Sequence, residues 1–461
     1  MHIWIDGQGD PSESKFRGIG RSTLAMSRAI IENAGEHRVS ILINGMYSIE
    51  NINDVKMAYR DLLTDEDMFI FSAVAPTAYS NIDNHGRSKA AQAARDIAIA
   101  NIAPDIVYVI SFFEGHGDSY TVSIPADDVP WKTVCVCHDL IPLLNKERYL
   151  GDPNFREFYM NKLAEFERAD AIFAISQSAA QEVIEYTDIP SDRVLNISSA
   201  VGEDFAVIDY SAEHIQSLKD KYRLPDEFIL TLAMIEPRKN IEALIHAYSM
   251  LPAELQQRYP MVLAYKVHPE DLERILRLAE SYGLSRSQLI FTGFLTDDDL
   301  IALYNLCKLF VFPSLHEGFG LPPLEAMRCG AATLGSNITS LPEVIGWEDA
   351  MFNPHDVQDI RRVMDKALTD EAFYRELKAH ALTQSAKFSW ANTAHLAIDG
   401  FTRLLQSSKE VDAGQTEGVT TSRIQTMQKI DALSEVDRLG LAWADARNGY
   451  KQHTRTLLVD L

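Results

Sequence analysis

Apolar residues run along this chain in two alternating rhythms. Short continuous runs at residues 1–6, 38–43, 105–110, 133–137 and 171–175 read as strands. Between them apolar positions recur at helical spacing, as in the helices expected from about residue 23 to 32 and at 179–186, the latter behind a capping Ser176 or Ser178. Strands alternating with helices predict a parallel sheet covered on both faces. A polar, charge-mixed stretch near 203–226 reads as a linker, and the alternation then restarts. Strands are expected at 228–232, 261–265, 289–291 and 309–312, and helices at 241–250, 297–306, 359–369 and 371–387. Ser389 opens a last helix, ending near residue 405. The pattern predicts an α/β protein of two doubly wound domains, 1–203 and 204–388, followed by an extension at 406–461.

The densest chemistry follows the run at 309–312. The chain reads Pro313-Ser314-Leu315-His316-Glu317-Gly318-Phe319-Gly320-Leu321-Pro322-Pro323-Leu324-Glu325-Ala326-Met327. A glycine-rich turn gives way to a helix opening at two prolines, which are favoured in a first helical turn. Backbone donors and a positive helix end then face the mouth of a sheet, a site for phosphate or a sugar hydroxyl. Glu317 and Glu325 flank that turn, and carboxylates accept hydrogen bonds from paired hydroxyls. The set suits a ligand with polyol parts on either side of a phosphate.

The spacing Glu317-x7-Glu325 resembles the motif of retaining glycosyltransferase family 4. So do the surrounding words, including Cys329-Gly330 and Ser340-Leu341-Pro342-Glu343-Val344. The resemblance covers roughly 1–405, most densely 228–346. It implies a GT-B fold: two Rossmann-like domains facing a cleft, the donor on the second and the acceptor on the first, with the helix at 389–405 crossing back to the first. It implies sugar transfer from a nucleotide diphosphate with retention, without cofactor or metal. Residue by residue, Lys239 matches the family's phosphate lysine. The arginine often found five or six positions earlier is replaced by Ala233 or Met234, so Arg238 takes its role. Gly318, Phe319, Gly320 and Leu321 would lend backbone donors to the diphosphate. Glu325 would hold the ribose, Glu317 the sugar hydroxyls near the reacting carbon, and Gly293-Phe294-Leu295 would pass along the nucleobase. His138, in His138-Asp139-Leu140-Ile141-Pro142 at the end of a predicted strand, would sit by the anomeric centre. Gly18 and Gly20, in Gly18-Ile19-Gly20-Arg21, would face the donor phosphates. Read alone, that stretch is a tight turn lacking the third glycine of a dinucleotide fingerprint and the Gly-Lys-Ser of a phosphate loop.

These words occur together in bacterial mannosyltransferases that build surface polysaccharide, which favours GDP-mannose as donor and a glycan or lipid-linked glycan as acceptor. UDP-sugar enzymes share the frame, and an idle nucleotide-sugar-binding module and an epimerase of the same fold are the rivals. No opposite-face nucleophile stands out, which favours front-face attack over double displacement.

Composition narrows the partners. A formal charge of −23 argues against nucleic acid and against electrostatic binding to anionic membrane. No apolar run is long enough to span a bilayer. Four cysteines fit a reducing cytoplasm and read as buried thiols, so the chain is expected to be cytoplasmic, peripheral at the inner membrane only through partners. Thr296-Asp297-Asp298-Asp299 reads as a capped helix start with an acidic first turn instead of a metal cluster. In the extension, residues 406–423 read as a flexible linker, 424–447 as a helix, and 457–461 as a strand resembling 1–6. That likeness favours a second transferase module after this one over a strand that adds to an edge of this molecule's own sheet; the partner expected is that module or a membrane-associated biosynthetic protein.

Overall fold

The computed structural model describes residues 1–9, 18–126, 128–232 and 235–411. They form two compact units. The first comprises Met1–Ile175, Ala179–Ser198 and the helix from Trp390, and the second Ser176–Ser178 and Ser199–Ser389.

In the first unit the chain runs β1 His2–Asp6, α1 Gly18–Glu32, β2 Arg38–Asn44, α2 Ile49–Tyr59, β3 Met68–Phe71, α3 His85–Ile102, β4 Ile106–Val109 and β5 Lys132–Cys137. It continues through α4 Ile141–Leu144, α5 Lys146–Tyr149, α6 Pro153–Phe166, β6 Ala171–Ala174, α7 Gln177–Tyr186 and β7 Val194–Asn196. The strands are parallel in the order β3-β2-β1-β4-β5-β6-β7. Strands buried on both faces carry apolar residues at nearly every position, as in the fully buried β4 and β6. Trp4, Val107, Val109, Cys135, Cys137, Phe166 and Ile172 share one core. All four cysteines are free, buried thiols.

The second unit holds α8 Ala212–Tyr222, β8 Ile229–Thr231, α9 Ile241–Ser249, α10 Ala253–Arg258, β9 Met261–Leu263, α11 Pro269–Ser281, β10 Leu289–Phe291 and α12 Asp297–Leu306. Then come β11 Leu309–Phe312, α13 Leu321–Arg328, β12 Thr333–Ser336, α14 Leu341–Ile345, β13 Met351–Phe352, α15 Val357–Thr369 and α16 Glu371–Ser385. Its parallel sheet has the order β10-β9-β8-β11-β12-β13. In each sheet the winding reverses once, between β1 and β4 and between β8 and β11. Such switch points, at the carboxyl ends of the strands, are where open α/β sheets bind ligands.

A final helix, α17 Trp390–Val411, belongs to the first unit. Phe401 on it is fully buried and stacks on Phe173 of β6 at 5.2 Å between ring centroids. Gly400 allows that approach, since a Cβ there would lie 2.5 Å from the Phe173 ring.

Several local expectations change. Helix α1 begins at Gly18, about five residues early, so Gly18 and Gly20 lie in a first helical turn and not in an open loop. The stretch read as a linker contains α8, capped by Ser211 through the amide of His214. Helix α17 continues to Val411, beyond the expected end near residue 405. The helix at 424–447 and the strand at 457–461 fall outside the described residues. Thr296 caps α12 as expected, accepting from the amide of Asp299. The Asp299 carboxylate takes hydrogen bonds from Lys221 and Tyr222.

Candidate active site

Two loops at the switch point of the second sheet are sewn together. One follows β8, where Pro237–Lys239 forms a single 3-10 turn ending at Asn240, whose φ of 56° breaks the chain before α9. The cations therefore stand on a turn just ahead of the helix, which starts at Ile241 as the sequence predicts. The other loop follows β11. The amide of Leu315 donates to the carbonyl of Arg238 at 2.6 Å, and the Ser314 hydroxyl oxygen lies 3.0 Å from the same carbonyl.

The side chains of these loops converge on Glu317. Its Oε1 accepts from Lys239 Nζ and from Ser314 Oγ, each at 2.6 Å, and its Oε2 accepts from Arg238 at 3.1 Å. Arg238 also pairs with Glu236 at 3.0 Å and donates to the His316 carbonyl. The Glu317 side chain is 11% exposed. Burial pushes its carboxyl up, but Lys239 and then Arg238 outweigh that and hold it below the ordinary range. Its backbone is pinned as well: the Glu317 amide donates to Thr339 Oγ1 at 3.3 Å, and Ser340 Oγ donates to the Glu317 carbonyl at 2.9 Å.

Gly320 turns the chain into α13 with a φ of 116°, where a side chain would be strained. Pro322 and Pro323 then occupy the first turn, as the sequence predicts. The Phe319 ring lies in the core, edge-on to Phe388, so this residue offers only its backbone to a ligand. The Gly318 carbonyl accepts from Ser176 Oγ at 2.6 Å. One turn along α13, Glu325 is half-buried, and its Oε2 accepts from the Tyr304 phenol at 2.9 Å. After β10, Gly293 has a φ of 76°, Leu295 is half-buried, and the Phe294 ring is 74% exposed.

In the first unit His138 follows β5 and is half-buried. Its Nε2 lies 2.8 Å from the carbonyl of Ile110. Burial lowers its pKa from the usual value, so the imidazole is neutral near pH 7. A carbonyl only accepts, so Nε2 carries the proton and Nδ1 is left as an acceptor.

The structure thus brings Arg238, Lys239 and Glu317 into one cluster, with Glu325 on the helix that opens beside it. Sequence reasoning missed Glu236, Ser314, Thr339, Ser340 and Tyr304 as partners. Ser340 stands in the Ser-Leu-Pro-Glu-Val word and Ser314 in the Pro-Ser strand end, so the signal existed, but not the contact it encodes. Among the described residues no group of three or more His, Cys, Asp or Glu could hold a metal ion.

Residues 215–386 match the model of the glycosyl transferases group 1 family, so the chain carries a group 1 glycosyltransferase domain. Its fold is GT-B, with two Rossmann-like parallel-sheet domains. Among curated proteins the chain is similar to two Escherichia coli proteins called serotype-specific mannosyltransferase WbdA. One is 98% identical over 95% of this chain, the other 92% identical over all of it. The chain spans about half the length of these relatives, 54% and 55%. Among solved structures it resembles WaaG, a glycosyltransferase involved in lipopolysaccharide biosynthesis, at 16% identity and a TM-score of 0.59, covering 87% of this chain and all of WaaG. It also resembles Anabaena HepE in complex with UDP and glucose, at 14% identity and a TM-score of 0.58, with the same coverage. Among the described residues no helix is long and apolar enough to cross a membrane.

Proposed function

We propose that this chain transfers mannose from GDP-mannose to a growing glycan of a bacterial surface polysaccharide, with retention and without a metal. The observation that carries the reading is the cation pair Arg238 and Lys239, fixed at the switch point of the second sheet beside the start of α13. Without a metal, a departing diphosphate needs fixed cations and backbone donors, and these are the residues available for it. The identity to proteins called mannosyltransferases supports mannose.

In this reading Lys239 and Arg238 hold the diphosphate, helped by the amides of Gly318–Leu321. Glu325, steadied by Tyr304, accepts from the ribose hydroxyls. Gly293, Phe294 and Leu295 lie along the base, and Glu317 serves the sugar. The neutral His138 offers Nδ1 to a sugar hydroxyl. Gly18 and Gly20 contribute from the first turn of α1. The acceptor hydroxyl attacks from the face the diphosphate leaves, passing its proton to the departing phosphate. That the relatives are nearly twice as long supports a second transferase module as the partner in chain growth.

The test is a panel of nucleotide sugars scored by thermal stabilisation and then by nucleotide release. A ligand at a hundred times its dissociation constant adds about 2.7 kcal/mol, and GDP-mannose should give the largest shift. Release in step with added glycan acceptor supports a transferase. Donor conversion without acceptor would mean an epimerase, and binding without release an idle module. Lys239→Ala should weaken donor binding and turnover together, because its charge acts on both bound diphosphate and leaving group. Activity should survive a chelator; loss restored by manganese would overturn the metal-free reading.

A further inference from the structure

Glu317 holds the same two cations that the donor needs. One of its oxygens takes Lys239 and the other takes Arg238, at 2.6 and 3.1 Å. This is the arrangement in which two oxygens of a diphosphate would meet them. Of the roughly four lone-pair sites on a carboxylate, Lys239, Ser314 and Arg238 occupy three, so little is left for sugar hydroxyls. The charges also balance, Arg238 and Lys239 against Glu236 and Glu317. A dianion arriving here meets a site that is already neutral.

We propose that Glu317 is a placeholder for the donor's diphosphate, and that donor binding is an exchange. The phosphate oxygens displace the carboxylate from Lys239 and Arg238, and the carboxylate so released turns to the sugar. The surrounding contacts suit this. Ser314 Oγ keeps a grip on Oε1 when the cations leave. Thr339 and Ser340 hold the backbone of Glu317 on both sides of its peptide, so only the side chain has to move. Before the donor arrives, the carboxylate gives the half-buried Lys239 its ion-pair partner and Arg238 a second one beside Glu236. After exchange it has lone pairs free for hydroxyls at the reacting end. The proposal rests on the reading of this cluster as the diphosphate site.

The prediction runs against the usual effect of removing a site residue. Glu317→Gln keeps the size and the acceptor for Ser314 but removes the competing charge. GDP alone, titrated calorimetrically into the full chain, should bind the variant about three- to tenfold more tightly than wild type, since a like charge beside the bound anion is gone. Turnover of nucleotide sugar should fall at least about tenfold at the same time. Glu317→Asp, which withdraws the carboxylate by one methylene, should shift both quantities the same way by less, and serves if the glutamine variant folds poorly. Equal or weaker GDP binding by both variants, with wild type binding normally, overturns the exchange while leaving the diphosphate site standing. Wild type that binds neither GDP nor UDP overturns the site itself and the exchange with it.

Discussion

The phenol of Tyr304 donates a 2.9 Å hydrogen bond to Glu325. The Tyr304 ring is fully buried on α12, edge-on to Phe310 of β11. Burial, then the neighbouring carboxylate, raises its pKa well above the ordinary value, so the phenol stays protonated and must donate. A helix packed into the core thereby aims a carboxylate on the neighbouring helix. Tyr304→Phe keeps the ring and deletes the donor. A hydrogen bond to a charged group is worth about 1.5–3 kcal/mol. The half-saturating donor concentration should rise several-fold, with a smaller change in turnover. Steady-state kinetics check this, and an unchanged donor dependence would remove Glu325 from the donor site.

Gly320→Ala should damage both fold and site. The φ of 116° is strained for any side chain, and a Cβ would lie 2.8 Å from Cδ2 of the fully buried Leu341. Strain of this kind costs about 1–3 kcal/mol. A lower melting temperature is expected, together with weaker GDP binding as the start of α13 shifts. Melting curves and calorimetry report the two effects separately.

The first unit contains a buried ion pair. Arg95 meets Asp6 at 2.8 Å, each side chain 1% exposed, and Gln8 donates to the same carboxylate. Breaking a buried pair on one side costs about 3–5 kcal/mol, here eased by Asp96, whose carboxylate lies 3.8 Å from Arg95. Asp6→Asn should lower the urea midpoint strongly. Replacing both residues, as Asp6→Leu with Arg95→Met, should recover much of the loss. A single variant as stable as wild type would contradict the account.

His138 should give the fold an acid-sensitive component. Its pKa is lowered in the folded state, chiefly by burial. Between that lowered value and about 6.5, the unfolded chain binds more protons than the folded one, so stability rises with pH. The contribution is complete above about 6.5 and is lost on acidification toward the folded value. His138→Asn should flatten the stability profile between about pH 7.5 and 5. Glu317, with its lowered pKa, acts in the same direction but in a more acidic window, below the ordinary carboxylate pKa of about 4.3. Urea titrations across pH separate the two.

Much of this molecule is legible in its sequence. The run at 309–312 is β11 residue for residue, and Thr296 caps a helix at the expected bounds. Both signals are local: an unbroken apolar run ended by Pro313, and a threonine before an acidic turn. Locality also explains the errors. Gly18 and Gly20 have the look of turn formers, yet they begin α1, which lies against α17, far away in sequence. Residues 212–222 look like linker because their mean apolar content is low, but Leu218 and Tyr222 are enough to bury one face of α8.

The site divides in the same way. The residue types, the glycine turn and the two prolines at a helix start are written into a short stretch of chain, because backbone geometry and helix polarity depend on near neighbours. The state of Glu317 is not. Its partners Lys239 and Arg238 stand 78 and 79 positions away, and Thr339 lies 22 positions ahead. Only the parallel pairing of β8 with β11 brings those loops to one edge. The sequence names a carboxylate and two cations; whether they lie apart, ready for sugar and phosphate, or bound to one another is decided by strand order, since Coulomb attraction and burial act through distance in space and not along the chain.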